Sequence, residues 1–258
     1  TSDDATSSIT NLIPTGQDGM PKSVAWKATP STDTTGKSTA TVTVTYNDGY
    51  TKEVIVPINV WKTTKGSDVT KPSADTHDIY REITRTITVD NGTPQIQKVV
   101  FTRDKYTDTT DAAAQPTYSD WVAKDGKDTF AESAELTKDG YTATVKGTDI
   151  TGKPIALTAN GTIAGETVTA DSQSENITVT NTANDQTVAI KFINAKDDSP
   201  VSVATPETFT GKTDGSITIN PTDITIPTSY KLDKDFGLPT TYKFTADKDQ
   251  TITVKLDH

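Results

Sequence analysis

The chain has no cysteine, which removes disulfides, thiolate zinc sites and cysteine nucleophiles together. Histidine is almost as scarce. His77 lies in a polar stretch and His258 is the last residue, so the sequence offers neither a serine–histidine–acid arrangement nor a multi-histidine metal site. Hydrophobic residues make up 32% of the 258 positions and aromatics 7%. That supply is too small for one large core, although several small modules could each bury one sheet face with it. No window approaches about 18 consecutive apolar residues, and residues 1–14 lack a basic start and an apolar run, so neither membrane insertion nor a leader is read in this stretch. Cations are outnumbered, 25 Lys and Arg against 35 Asp and Glu, for a net charge of −10. Nucleic acid and anionic membranes are therefore poor partners, since binding phosphate needs a clustered cationic surface.

Threonine is abundant, at about one residue in five. It is β-branched and sits well on a solvated sheet face. In residues 39–46, 83–89 and 251–256 apolar side chains alternate with threonine or a charge, the period-2 signature of half-buried strands. The fold class expected is mainly β with little helix: an elongated tandem of three small β-rich modules, each monomeric.

The first module is placed at 1–62. Ala40, Val42, Val44 and Tyr46 share one strand face, Asn47, Asp48 and Gly49 make a turn, and Val54, Val56, Ile58 and Val60 give the returning face. Pro57 cannot donate to a ladder, which puts the returning strand at an edge. Residues 63–78, polar with Gly66 and Pro72, read as a linker. A second module is placed at 79–183, with strands near 81–89, 96–102, 142–146 and 176–180 and a helical turn near 128–136. A third, at 184–258, opens on Val188, Ile190 and Phe192 and closes on Ile252, Val254 and Leu256, two strands expected to lie side by side.

Particular residues carry family resemblances. Val24-Ala25-Trp26-Lys27, the hairpin through Tyr46-Asn47-Asp48-Gly49, and Val54-Ile55-Val56-Pro57-Ile58 resemble the Rib-type repeats of Gram-positive wall proteins, which are shortened immunoglobulin-like spacers. Asn47 departs from the family's usual proline, in a turn that tolerates it. Thr84-Arg85-Thr86-Ile87, Val100-Phe101-Thr102-Arg103, Tyr118-Ser119-Asp120-Trp121 and Asp139-Gly140-Tyr141-Thr142 resemble the longer unit of mucus-binding (MucBP/Mub-type) repeats. Gln186-Thr187-Val188, Thr210-Gly211-Lys212-Thr213-Asp214-Gly215 and Gln250-Thr251-Ile252 resemble the shorter, ubiquitin-like (β-grasp) unit. The resemblance implies a non-catalytic, extracellular, wall-anchored adhesin of lactobacilli and related bacteria, whose partners are mucin glycans, host glycoproteins and immunoglobulins. Its signal peptide and anchor would belong to parts of the parent beyond these residues. The alternative is a stalk that only projects another binding domain. The missing cysteines fit a bacterial surface, because small secreted animal domains usually carry disulfides.

The chemical motifs are weak. Gly211-Lys212-Thr213 and Gly36-Lys37-Ser38 echo a phosphate loop, but Pro206 and Ser31 stand where it needs glycine. Asp233, Asp235 and Gly237 suggest no more than adventitious surface calcium, since Leu238 and Phe244 occupy the glycine and acid positions of an EF-hand. No cofactor is implied. The Asn91, Asn160 and Asn176 sequons are what chance yields in so Thr-rich a chain. Arg81, Arg85 and Arg103 are the only arginines, and their planar forks suit the carboxylate or sulfate groups of sugars. Arg81 and Arg85 also fall in register with Ile83, Ile87 and Val89, so pairing with acids at the core edge is the preferred reading. Trp61 could stack on a sugar or pack on the linker, and packing is preferred. Trp26 and Trp121 are expected in cores.

Overall fold

A computed structural model of the chain describes residues 21–258. The opening residues 1–14, and with them the start of the first module, lie outside the described residues. Among the described residues the regular structure is β apart from three 3₁₀ turns, at Gly66–Asp68, Lys124–Gly126 and Pro221–Asp223. Chain contacts divide the described residues into two compact units, one of residues 21–82 and 100–128, the other of 83–99 and 129–258.

In the first unit, β1 (Pro21–Trp26), β2 (Gly36–Tyr46) and β3 (Thr51–Val60) form an antiparallel sheet in that order. Trp26 lies opposite Val42 and Val24 opposite Val44, and Val42 pairs with Val54. The alternation sends Val42, Val44 and Val56 into a small core with Val24, Trp26, Tyr46 and Ile58 around it, and the threonines to the other face. Gly49 (φ 85°) closes the hairpin in the left-handed region that favours glycine. The sheet order leaves β3, with Pro57, at an edge.

Next come β4 (Lys62–Thr64), β5 (Tyr80–Val89), β6 (Gln95–Thr102), β7 (Lys105–Thr107), β8 (Thr117–Tyr118) and β9 (Val122–Ala123). Strands β4, β7 and β8 make a three-stranded sheet, and the end of β6 pairs with β9. Strands β5 and β6 have residues in both units. The stretch read as a linker carries structure of its own. Gly66 is buried, and a Cβ there would meet Arg103 O at 2.4 Å and Ile79 O at 2.7 Å. Its N–H donates to Asp104, and Lys124 donates to Val69 O.

The second unit holds β10 (Thr129–Phe130), β11 (Tyr141–Lys146), β12 (Glu166–Thr167), β13 (Glu175–Ala183), β14 (Asp185–Asn194), β15 (Pro200–Val201), β16 (Thr208–Lys212), β17 (Ser216–Ile219), β18 (Lys231–Leu232), β19 (Thr240–Lys243) and β20 (Gln250–Asp257). Strand β13 pairs antiparallel with β11 and parallel with β5, which brings Ile87, Ile177 and Val179 together with Leu136 and Ile163. The helical turn expected near 128–136 is not formed. Thr129–Phe130 form a short strand and 131–136 are irregular, because Ser133 N donates to Ile163 O and Leu136 N to Gly161 O, satisfying across the chain the groups that a helix would satisfy locally.

Strands β14 and β20 lie side by side and parallel, as the terminal alternations suggested. Ile190 faces Ile252 and Phe192 faces Val254, over a core with Ile219, Ile224 and Leu256. Only Asn184 separates β13 from β14. At that joint Gly140 O accepts from Asn184 N (2.9 Å) and Thr213 Oγ1 (2.7 Å), and Thr213 N donates to Asn184 O (3.0 Å).

Candidate ligand-binding site

Strand pairing assembles a cluster of cations and rings in the first unit. The β6–β9 register sets Thr102 opposite Val122. Continued by one pair, it sets Arg103 opposite Trp121. The β7–β8 register sets Lys105 opposite Tyr118. Opposite residues in antiparallel pairs touch, and here each pair is a cation and a ring. The Arg103 guanidinium carbon lies 3.9 Å from the Tyr118 ring centroid and 4.5 Å from that of Trp121, and Arg81 lies 4.7 Å from the same Trp121 ring. Arg81, Arg103, Lys105, Tyr118 and Trp121 are all half-buried. Contacts of this kind stabilise by about 0.5–2 kcal/mol each, more as water is excluded.

Asp78 holds the cluster from behind. Its backbone oxygen accepts from Arg103 Nε (2.7 Å), and its Oδ2 accepts from Lys105 Nζ (2.7 Å) and the Tyr118 hydroxyl (2.9 Å). Burial pushes the Asp78 carboxyl up, but the Lys105 and Tyr118 hydrogen bonds outweigh it and hold Asp78 below its ordinary 3.8. The bond to Asp78 raises Lys105 in turn, so both charges persist at neutral pH. With Nε committed and rings on its faces, Arg103 keeps its two Nη groups, which have no hydrogen-bond partner among the described residues. A planar cation so fixed presents a donor edge that suits a carboxylate or sulfate.

The four residues proposed from sequence separate into three environments. Arg81 and Arg103 meet on Trp121. Arg85 is elsewhere, 1% exposed, and belongs to the core of the second unit. The parallel register places Glu175 beside it; its Nε donates to Glu175 Oε2, Nη1 to Ala164 O (2.8 Å) and Nη2 to Glu166 Oε2 (3.1 Å), with Phe130 4.8 Å away. All three nitrogens are engaged, the ion-pair arrangement preferred for this residue. Trp61 is half-buried between β3 and β4, with no ring or hydrogen-bond partner among the described residues. The sequence offers Tyr118 only as part of a family motif and gives no sign of Lys105 or Asp78, and Trp121, expected in a core, is half-buried beside two arginines. The signal for them is the pairing register, which local periodicity does not contain.

Among the described residues no group of three or more His, Asp or Glu could hold a metal ion, and no helix is long and apolar enough to cross a membrane.

Residues 1–62 match the Rib domain family. This makes the N-terminal part of the chain similar to surface-protein modules of a structural, non-catalytic kind, and it agrees with the β-sheet built from Trp26, Val42, Val44 and Val56. Among curated proteins none matches the chain.

Proposed function

We propose that this chain is a non-catalytic adhesin segment of a surface protein, and that its ligand contact is the free guanidinium edge of Arg103. The observation that carries this reading is Arg103 itself, fixed between Tyr118 and Trp121 with Nε tied to Asp78 and both Nη groups open. Arg81 adds a second cation on the Trp121 ring, while Arg85 serves the core. Mucin glycans or host glycoproteins bearing carboxylate or sulfate are the ligand class, supported by the resemblance of residues 79–183 and 184–258 to mucus-binding units. Wall attachment of the parent is part of the same proposal. A single contact of this kind is weak, and repetition on a cell surface would supply avidity.

The test is a glycan array with a mucin pull-down, run on the chain and on a tandem multimer of it, beside Arg103→Ala. One charge-assisted hydrogen bond is worth about 1.5–3 kcal/mol, so Arg103→Ala should weaken binding by at least roughly 10–100-fold. No binding even by the multimer rejects the adhesin; binding unaffected by Arg103→Ala rejects the site.

The second reading, a stalk, is favoured by the joint of Gly140, Asn184 and Thr213, which leaves little freedom between β13 and β14. Under it, an unrelated spacer of equal length restores adhesion after these residues are deleted.

A further inference from the structure

Above Arg85 lies a cavity of about 310 Å³ whose walls include Asp149, Ile155, Ile163 and Glu166, with Arg85 among the lining residues. The wall is one long excursion, residues 147–170, which carries β12; there Glu166 pairs with Phe130 of β10 in a separate two-stranded sheet. Two acids meet the single guanidinium from different elements. Glu175 comes from the neighbouring strand β13, and its side chain is 0% exposed; Glu166 comes from the excursion, and its side chain is 25% exposed.

The hydrogen bonds do not balance if both acids are ionised. Arg85 Nε serves Glu175 Oε2, Nη1 serves a backbone carbonyl and Nη2 serves Glu166 Oε2. Glu175 Oε1 is then buried without any partner among the described residues, a costly state for a carboxylate. Both carboxyls sit on the one guanidinium, Glu175 at Nε and Glu166 at Nη2, so they are neighbours. A proton on Glu166 would give Glu175 a donor, and it would leave one negative charge facing one positive charge.

We infer that Glu166 carries this proton in the folded protein and donates it to Glu175, so that Arg85, Glu175 and protonated Glu166 form an acid-tightened clamp on the 147–170 excursion. Loss of the proton sets two carboxylates against one guanidinium, with Asp149 adding a third negative charge from the cavity wall, and the excursion loosens. The charged groups facing Glu166 are therefore Arg85 from β5, Glu175 from β13 and Asp149 from the excursion. Burial is the largest influence raising the Glu166 carboxyl above its ordinary 4.5, followed by the Glu175 hydrogen bond and charge; Arg85 opposes them and Asp149 adds to them. A carboxyl raised on folding contributes stability that is complete below its unfolded pKa and is lost as pH rises through its folded pKa.

The experiment compares the whole chain with Glu166→Gln, whose amide still donates to Glu175 but does not titrate. Denaturant unfolding and amide exchange of residues 147–170 are followed from below pH 4.5 to neutrality. The wild-type folding equilibrium constant, relative to that of Glu166→Gln, should fall about tenfold per pH unit between the unfolded and folded pKa. Exchange in 147–170 should quicken over the same range in the wild type alone. Parallel stability curves overturn the clamp. Direct carboxyl carbon NMR of the wild type decides the matter even if the variant fails to fold: Glu166 titrating above 4.5 supports the clamp, and titration at or below 4.5 overturns it.

Discussion

Replacing Arg85 with methionine should be among the most damaging single changes in the second unit. The side chain is 1% exposed, and its loss strands Glu175, whose side chain is 0% exposed, without the cation that it pairs with. Ala164 O and Glu166 each lose a donor, and Phe130 loses its cation. The hydrogen bonds alone would sum to more than the effect, because Glu175 can relieve itself by taking a proton. Removing one partner of a buried pair typically costs about 3–5 kcal/mol, and at roughly 2–4 °C per kcal/mol for a chain of this size the melting temperature should drop by about 6–20 °C. Calorimetry or far-UV circular dichroism reads that loss. Trp26, Trp61 and Trp121 all lie in the first unit, so tryptophan emission reports that unit's own transition in the same sample. Arg85→Met with Glu175→Met should recover much of the loss, since two apolar side chains of similar volume can replace a buried pair at little cost. A single-variant loss below about 1 kcal/mol, or a double variant that merely adds the two single losses, would refute the assignment of Arg85 to the core.

Two further outcomes follow from the geometry. Gly140 has φ 76°, and a Cβ there would meet Thr213 Cγ2 at 2.7 Å and Ala246 Cβ at 2.9 Å, whereas Gly152, at φ 83°, has open space; Gly152→Ala should cost about 1 kcal/mol from the backbone alone, and Gly140→Ala about 1–3 kcal/mol more, read by denaturant unfolding. Burial and a hydrogen bond to Glu82 push the Tyr80 hydroxyl up from 10.0 to about 12, so an ultraviolet tyrosine titration should show one late-ionising phase that Tyr80→Phe removes; its raised value contributes stability that is present below pH 10 and is lost as pH rises towards 12.

Strands were the most legible part of the chain because alternation is a local property. The runs ending in Tyr46, Val60, Val89 and Leu256 announce themselves by alternation: Val42 and Val44, Val56, Ile83 and Ile87, and Val254 and Leu256 are buried between more exposed neighbours. Partnership between strands is not local. Nothing near Ile177 in sequence specifies that it lies beside Ile87, ninety residues away and parallel. The helical turn expected near 128–136 is absent for the same reason, since the hydrogen-bond partners of Ser133 and Leu136 sit at 161–163.

The arginines show where sequence reasoning must stop and pairing must begin. Arg81 and Arg85 share one face of β5 by the two-residue period, and on that ground alone they deserve the same role. Their neighbours decide otherwise. Beside Arg85 the parallel partner supplies Glu175, so the guanidinium is neutralised and engaged on all three nitrogens. Arg81 instead shares the Trp121 ring with Arg103, a residue on no common strand with it. In a chain with acids at about one position in seven, finding a carboxylate near an arginine is common; two arginines on one tryptophan is not. Two arginines held on one ring are therefore the better guide to where the proposed anionic ligand would be held.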